Sequence, residues 1–268
     1  MKNQYSLFLL LLFPLLFACE EDEDKIIQTD LTMEASQLFD ISNSWGESLY
    51  FAMLSWEDYQ AVNPYDLPGC PKIALEQSLK QVTLEFLSDS ACIKTGQTIR
   101  SGKIILDYSP ENLSTQDWIL EYQNYTFNQD SLQGTRKFSR SDFNKVSEQF
   151  ENLILKTNNG VNSTFSGNID HTIARLRLEL IGIGSKGTIT GTNPAGRKFT
   201  IDITDPRQIL VSCSKENEIL PISGKESWTV ARGASKNVIH KINYESTGNC
   251  QINATVTLAD GRTLVLTL

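Results

Sequence analysis

From Val82 onward apolar side chains recur at every second position, and this period of two constrains the fold more than any other feature of the chain. Val82, Leu84 and Phe86 alternate with Thr83 and Glu85, and Leu176, Leu178 and Leu180 alternate with Arg175, Arg177 and Glu179. The same pattern sets Phe199, Ile201 and Ile203 against Thr200, Asp202 and Thr204, and Ile252, Ala254, Val256 and Leu258 against Asn253, Thr255 and Thr257. A strand sends successive side chains to opposite faces, so each run predicts one dry and one wet face, as in an antiparallel sheet. Asn159-Gly160 and Asp260-Gly261 suit two-residue hairpins that need positive φ, and Asn193-Pro194-Ala195-Gly196 suits a longer one. The expectation is a mainly β fold of roughly ten to twelve strands. It forms a large, hairpin-rich antiparallel sheet assembly in one or two layers.

Ahead of the strands the period changes. Leu31, Ala35, Leu38, Ile41, Trp45, Leu49, Ala52, Trp56 and Tyr59 fall at steps of three and four, which predicts a helical segment over 31–63. Gly46 is placed to divide it, and Asn63-Pro64 to end it, because proline pushes the preceding residue out of the α region. The β domain is then 64–268, with a sub-division expected near 158–163. The stretch from Phe138 through Asp142 to Phe150 reads as a short helix. Gly196-Arg197-Lys198-Phe199 and Gly261-Arg262-Thr263-Leu264 begin two similar eight-residue strings, which either a duplicated hairpin or shared turn rules would produce.

No string in the chain assigns chemistry. Gly182-Ile183-Gly184-Ser185-Lys186-Gly187 has the spacing of a dinucleotide loop, but a strand follows where a helix N-terminus would have to meet the phosphates, so a flexible turn is expected. The two histidines, His171 and His240, fall on the apolar register, where a hydrogen-bonded core histidine outweighs a metal ligand. Glycoside hydrolysis needs two facing carboxylates. Asp202 with Asp205, or Glu85 with Asp107, could be imagined, yet alternation puts Asp202, Glu85 and Asp107 on wet faces. Trp118, Tyr122 and Trp228 are the candidate glycan-binding aromatics, Trp118 and Tyr122 sharing a strand face, and they are weighed against plain core or edge packing. No catalytic residue, cofactor or metal site is assigned.

The N-terminus carries the address. Lys2, the apolar run Leu7–Phe17 and small Ala18 follow the grammar of a secretory signal. The run is broken by Pro14 and stops at five carboxylates, too short for a membrane span of about 20 residues. Leu16-Phe17-Ala18-Cys19 resembles the lipobox of bacterial lipoproteins, which implies a signal peptide over 1–18 and acyl chains on Cys19, followed by an acidic tether over 19–30. The run Glu20-Glu21-Asp22-Glu23-Asp24 looks like the export tag of Bacteroidota surface lipoproteins and implies the outer leaflet; as plain chemistry it is a solvated spacer. Only Lys2 is charged in the leader, so 23 basic and 32 acidic residues remain, a net charge near −9 that argues against nucleic acid as a partner.

With Cys19 assigned to lipid, Cys70, Cys92, Cys213 and Cys250 remain as an even set for disulfides. Three pairings are open, and sequence order favours Cys70 with Cys92 and Cys213 with Cys250. Zinc ligands usually stand closer in sequence than any two of these.

The segment from Cys70-Pro71 to the C-terminus resembles a family of Bacteroidota surface lipoproteins of unknown function. The resemblance is carried by Cys70-Pro71, Arg100-Ser101-Gly102-Lys103-Ile104-Ile105, Asn124-Tyr125-Thr126-Phe127, Leu132-Gln133-Gly134-Thr135, Gly187-Thr188-Ile189-Thr190-Gly191-Thr192-Asn193 and the ending Cys250 to Leu268. It implies fold and address and transfers no catalytic residue. Asp89-Ser90-Ala91 and Asp130-Ser131-Leu132 resemble the O-glycosylation acceptor triplet of that lineage, which makes Ser90 and Ser131 candidate sites. The functional expectation is an outer-membrane, surface-exposed lipoprotein, held to the membrane through Cys19, with a non-catalytic binding or structural role toward a glycan or another surface protein. The alternative is a β-sheet glycan hydrolase using paired carboxylates.

Overall fold

The structure, a computed structural model, describes residues 30–87, 98–109, 116–216, 218–233 and 236–267. The signal segment, Cys19, the tether before residue 30, Ser90 and Cys92 lie outside the described residues. Three helices come first: α1 (Leu31–Glu47), α2 (Leu49–Met53) and α3 (Trp56–Ala61), then a single 3₁₀ turn at Pro64–Asp66. Thirteen strands follow: β1 (Lys72–Glu76), β2 (Gln81–Phe86), β3 (Arg100–Asp107), β4 (Gln116–Phe127), β5 (Asp130–Asp142), β6 (Lys145–Lys156), β7 (Asn162–Leu176), β8 (Glu179–Thr192), β9 (Lys198–Leu210), β10 (Ser223–Ala231), β11 (Asn237–Gly248), β12 (Gln251–Thr257) and β13 (Thr263–Leu266). A short helix, α4 (Val211–Lys215), joins β9 to β10.

The strands form one sheet in which each pairs antiparallel with its sequence neighbours, in the order β1 to β13. The expected alternation is present: β2 is buried at Val82, Leu84 and Phe86, and β9 at Phe199, Ile201 and Ile203. The dry face packs on the helices. Residues 41 to 54 are buried at every position, hence on every side of the helix axis. A helix dry all round needs cover all round, so the sheet curls about α1 and α2.

The helical stripe meets the core at Ala35, Leu38, Ile41, Trp45, Leu49, Ala52 and Tyr59. Gly46 does not divide the helix. The helix runs through it and bends at Ser48 (φ −97°, ψ 5°). A Cβ on Gly46 would stand 2.9 Å from Arg207 Nη2, so the glycine makes room for a guanidinium. α3 opens on a capping box, with the Ser55 side chain accepting from Asp58 N and the Asp58 carboxylate accepting from Ser55 N. α3 ends at Ala61, with Val62 already extended; Asn63, extended ahead of Pro64 as its proline neighbour requires, caps the 3₁₀ turn that follows.

Several expectations are corrected. Leu176, Leu178 and Leu180 do not share a dry face. β7 ends at Leu176, Arg177 turns the chain at φ 58°, and Leu176 and Leu178 are 65% and 77% exposed. The cause is Arg175, whose guanidinium is drawn to Asp58 (3.0 Å) and to the Leu178 carbonyl (2.6 Å), closing a hairpin where a strand was expected. The stretch from Phe138 to Phe150 is the β5–β6 hairpin, because flanking strands on both sides supply the ladder that overrides local preference. The glycine-rich string 182–187 is the interior of β8, where a Cβ at Gly184 would collide with the Gln208 amide 2.9 Å away. Residues 158–163 do not divide the domain. They form the β6–β7 turn and the start of β7, with Lys156 paired to Asn162 and the sheet continuous across them. Asn193–Gly196 and Asp260-Gly261 make the β8–β9 and β12–β13 turns as expected.

Cys213, in α4, is bonded to Cys250, in the β11–β12 turn, with Cα atoms 5.3 Å apart. Cys70 is also disulfide-bonded. The Cys213–Cys250 bridge closes a loop of sequence separation 37, which by unfolded-chain entropy stabilises the fold by about 3–4 kcal/mol. A Cys213→Ala/Cys250→Ala variant is expected to lose that amount, read as a lower urea midpoint with an m-value that rises, because the freed unfolded chain exposes more surface.

Candidate functional site: a charged seam between helix and sheet

The alternation that makes β5, β6, β9 and β10 amphipathic is broken in one way: a charged residue stands in the dry register. Arg136 lies in step with Leu132 and Phe138, Glu148 with Val146 and Phe150, Arg207 with Ile209, and Glu226 with Trp228. All four are at most 1% exposed. A buried charge is tolerated only when paired and hydrogen-bonded, and each of these meets a partner across the helix–sheet interface.

Trp45 of α1 sits at the centre. Its indole N–H donates to both Glu148 oxygens at 3.2 Å. Glu148 also accepts from Arg136 Nε at 2.6 Å and meets His171 Nε2 at 2.9 Å, while His171 Nδ1 contacts the Ser185 hydroxyl at 2.9 Å. Arg136 reaches on to the Trp45 carbonyl (3.0 Å) and to the Ser48 hydroxyl (2.8 Å), which in turn bonds the Tyr122 hydroxyl at 2.6 Å. Arg136 and Arg207 both lie over the Trp45 ring, at 5.9 and 5.3 Å from its centroid, and Arg207 also lies over Tyr244 at 5.2 Å. Ring faces thus take up guanidinium surface that hydrogen bonds leave over.

The seam continues in both directions along α1. Towards its C-terminal end Glu47 is bonded to Arg100 and accepts from the Tyr125 hydroxyl at 2.8 Å. One turn before Trp45, Ser42 donates to Glu226 at 2.9 Å and accepts from Arg207, which itself meets Glu226 at 2.9 Å. Near the N-terminal end Glu34 contacts Arg232 at 2.6 Å, His240 at 3.2 Å and Arg197 at 3.6 Å. Four buried carboxylates are therefore each taken by side chains of the chain itself.

The seam absorbs most of the residues singled out from the sequence. Both histidines are buried and hydrogen-bonded, each to a carboxylate. Among the described residues no group of three or more His, Cys, Asp or Glu is arranged to hold a metal. The candidate glycan-binding aromatics are corrected. Trp118, Tyr122 and Trp228 are 2%, 5% and 0% exposed, because their polar ends are needed inside: Trp118 donates to the Ala52 carbonyl (2.9 Å), Trp228 to Glu226 (2.7 Å), and Tyr122 meets Ser48. Their ring faces pack in the core. The imagined carboxylate pairs occupy the outer face, where Glu85 pairs with Lys103, Asp205 with Lys225, and Asp202 accepts from Thr188. Ser131 is half-buried in β5, its strand paired to Thr126 and Lys156.

Outside the seam, the wet face of the sheet carries shallow depressions. The one over β7, β8 and β9 is about 580 Å³, lined at Gly182 and Gly184 and bordered by Ile181, Leu210, Asp170 and Lys186.

The seam's electrostatics make its role testable. Burial alone would raise the Glu148 carboxyl, but Arg136 and His171 override it and hold the group at about 2. A folded-state value below the ordinary 4.5 stabilises the fold above pH 4.5, and the contribution drains away as pH falls from 4.5 towards 2. Asp40, on α1, works in the opposite sense: burial, then Asp130, pushes it from 3.8 to about 6. The fold favours its protonated form, so stability is lost as pH rises from 3.8 to 6. Asp40→Asn is therefore expected to gain on the order of 1–2 kcal/mol at pH 7 and nothing at pH 3.5, checked by urea midpoints at both values. Arg136→Met strands Glu148 without its cation and is expected to cost about 3–5 kcal/mol, of which Glu148→Leu in the same chain returns part.

Compared with known proteins, the chain matches no family model, no curated protein and no solved structure.

Proposed function

We propose that the chain is an outer-membrane lipoprotein, held by acyl chains on Cys19 and exposed at the cell surface, whose folded part acts by non-catalytic binding or as a structural element. The observation that carries the reading is the boundary Leu16-Phe17-Ala18-Cys19, which closes an apolar leader and opens on five consecutive acids. The Cys213–Cys250 bridge supports it, since such bonds persist in oxidising compartments outside the cytosol. The seam supports the non-catalytic half. Glu34, Glu47, Glu148 and Glu226 are 1–4% exposed and bound to arginine, histidine, tyrosine, serine or tryptophan of the same chain, so they hold the helix in the sheet.

Cell fractionation with and without Cys19→Ala tests the anchor. The wild-type protein is expected in the outer-membrane fraction with an N-terminal peptide heavier by its acyl chains, and the variant in the soluble fraction. An unmodified Cys19 in membrane-bound protein would overturn the reading. Surface exposure is checked on intact cells by protease: cleavage of the wild type without lysis is the expected result.

A further inference from the structure

Successive hairpin turns of a meander alternate between its two ends, so the β6–β7, β8–β9, β10–β11 and β12–β13 turns share one end of the sheet. Helix α1 begins at that end, because Glu34 in its first turn binds Arg197 and Arg232, which flank the β8–β9 and β10–β11 turns. The described chain therefore begins at that end, with Asp30. Twelve residues, 19 to 30, stand between Cys19 and the helix in the sequence, and twelve residues span at most about 40 Å.

This same end is the cationic one. The segments 156–162, 192–198 and 231–237 hold Lys156, Arg197, Lys198, Arg232 and Lys236 and no acid at all, in a chain of formal net charge −8. Arg197 and Arg232 face Glu34, whereas Lys156, Lys198 and Lys236 are exposed. Neighbouring turns at one end stand two strands apart, about 10 Å, so the three ammonium groups make a row about 20 Å long. Arg262, on the next turn, is exposed and bonded to Asp260. The other acids of this end are Asp130, whose carboxylate accepts from Asn158 N, exposed Asp30 ahead of the helix, and the five of the tether, Glu20–Asp24, which follow Cys19 directly and compete with lipid for the lysines.

We infer that the row Lys156, Lys198 and Lys236 is a membrane-facing surface that rests on anionic lipid headgroups of the leaflet holding Cys19. The inference rests on the lipoprotein reading above. Tether length and exit point bring this end within reach of the bilayer, and the charge pattern then selects which lipids it meets. Cations near an anionic surface are attracted over about one Debye length, 8–10 Å at ordinary ionic strength. A protein that is acidic elsewhere is thereby oriented, with the opposite end, carrying the exposed Leu176 and Leu178 of the β7–β8 turn, turned away from the membrane.

The test uses the full lipidated protein in vesicles of phosphatidylcholine alone or with phosphatidylglycerol added, footprinted with an amine-acylating reagent and read by mass spectrometry. On the anionic vesicles Lys156, Lys198 and Lys236 are expected to react at least about threefold more slowly than on neutral ones, with the difference lost in high salt. Lys145 and Lys215, at the opposite end, are expected to react equally on both. Equal reactivity of the three lysines on both vesicles overturns the inference. So does protection that appears in detergent and grows with protein concentration, which would assign the row to a second copy. The mass of the N-terminal peptide separates the two readings: lipid on Cys19 without lysine protection sinks only this inference, and its absence sinks both.

Discussion

A tryptophan, two arginines, a histidine and a carboxylate meet at the centre of this fold with almost no water-accessible surface, and the architecture depends on that meeting being complete. Trp45 gives Glu148 its indole N–H, and Arg136 and His171 complete the carboxylate's shell. Removing any one member leaves a charge or a donor stranded in a low-dielectric interior, where it costs more than the contact contributes. The helix can therefore occupy the sheet at one rotation and one depth. Leucine-only packing would tolerate a slide by one turn, whereas sliding here parts Glu47 from Arg100, Trp45 from Glu148 and Ser42 from Glu226 together.

Much of this is legible in the sequence. The alternation in 82–86, 199–203 and 252–258 marked strands and their dry sides, and the stripe from Ala35 to Tyr59 marked the helix side that meets them. The seam does not follow from the alternation, although its signature is in the sequence: Arg136, Glu148, Arg207 and Glu226 each break the dry register of their strand. A single chain does not say which charge answers which, because the partners are far apart, as with Ser42 and Glu226 at a separation of 184. Gly46 shows the same limit. It looks like a helix breaker until Arg207, from β9, is seen against it.

The Leu176–Leu180 stretch fails for a different reason. Alternation says that two faces differ, yet which face is dry depends on what stands opposite. Arg175 finds Asp58 of α3 on the inner side and the chain folds back at Arg177, so two leucines end in solvent. The candidate aromatics err the other way. Trp118, Tyr122 and Trp228 carry polar ends that suit a wet edge, but the buried seam supplies hydrogen-bond partners inside and draws them in.

A meander in which each strand touches only its neighbours is nearly one-dimensional, and such arrays lose cooperativity as they lengthen, because local opening at one hairpin costs nothing at a distant one. Here α1 supplies the missing long-range coupling. Through Glu47 it is bonded to β3 and β4, through Trp45 and Ser48 to β4, β5 and β6, through Ser42 to β9 and β10, and through Glu34 to β11 and the flanking turns. Opening any of those strands breaks a bond to the same helix. The charged contacts are thus distributed along the one element that β3 to β6 share with β9 to β11. That placement explains why polar side chains occupy so much of a helix buried on all sides.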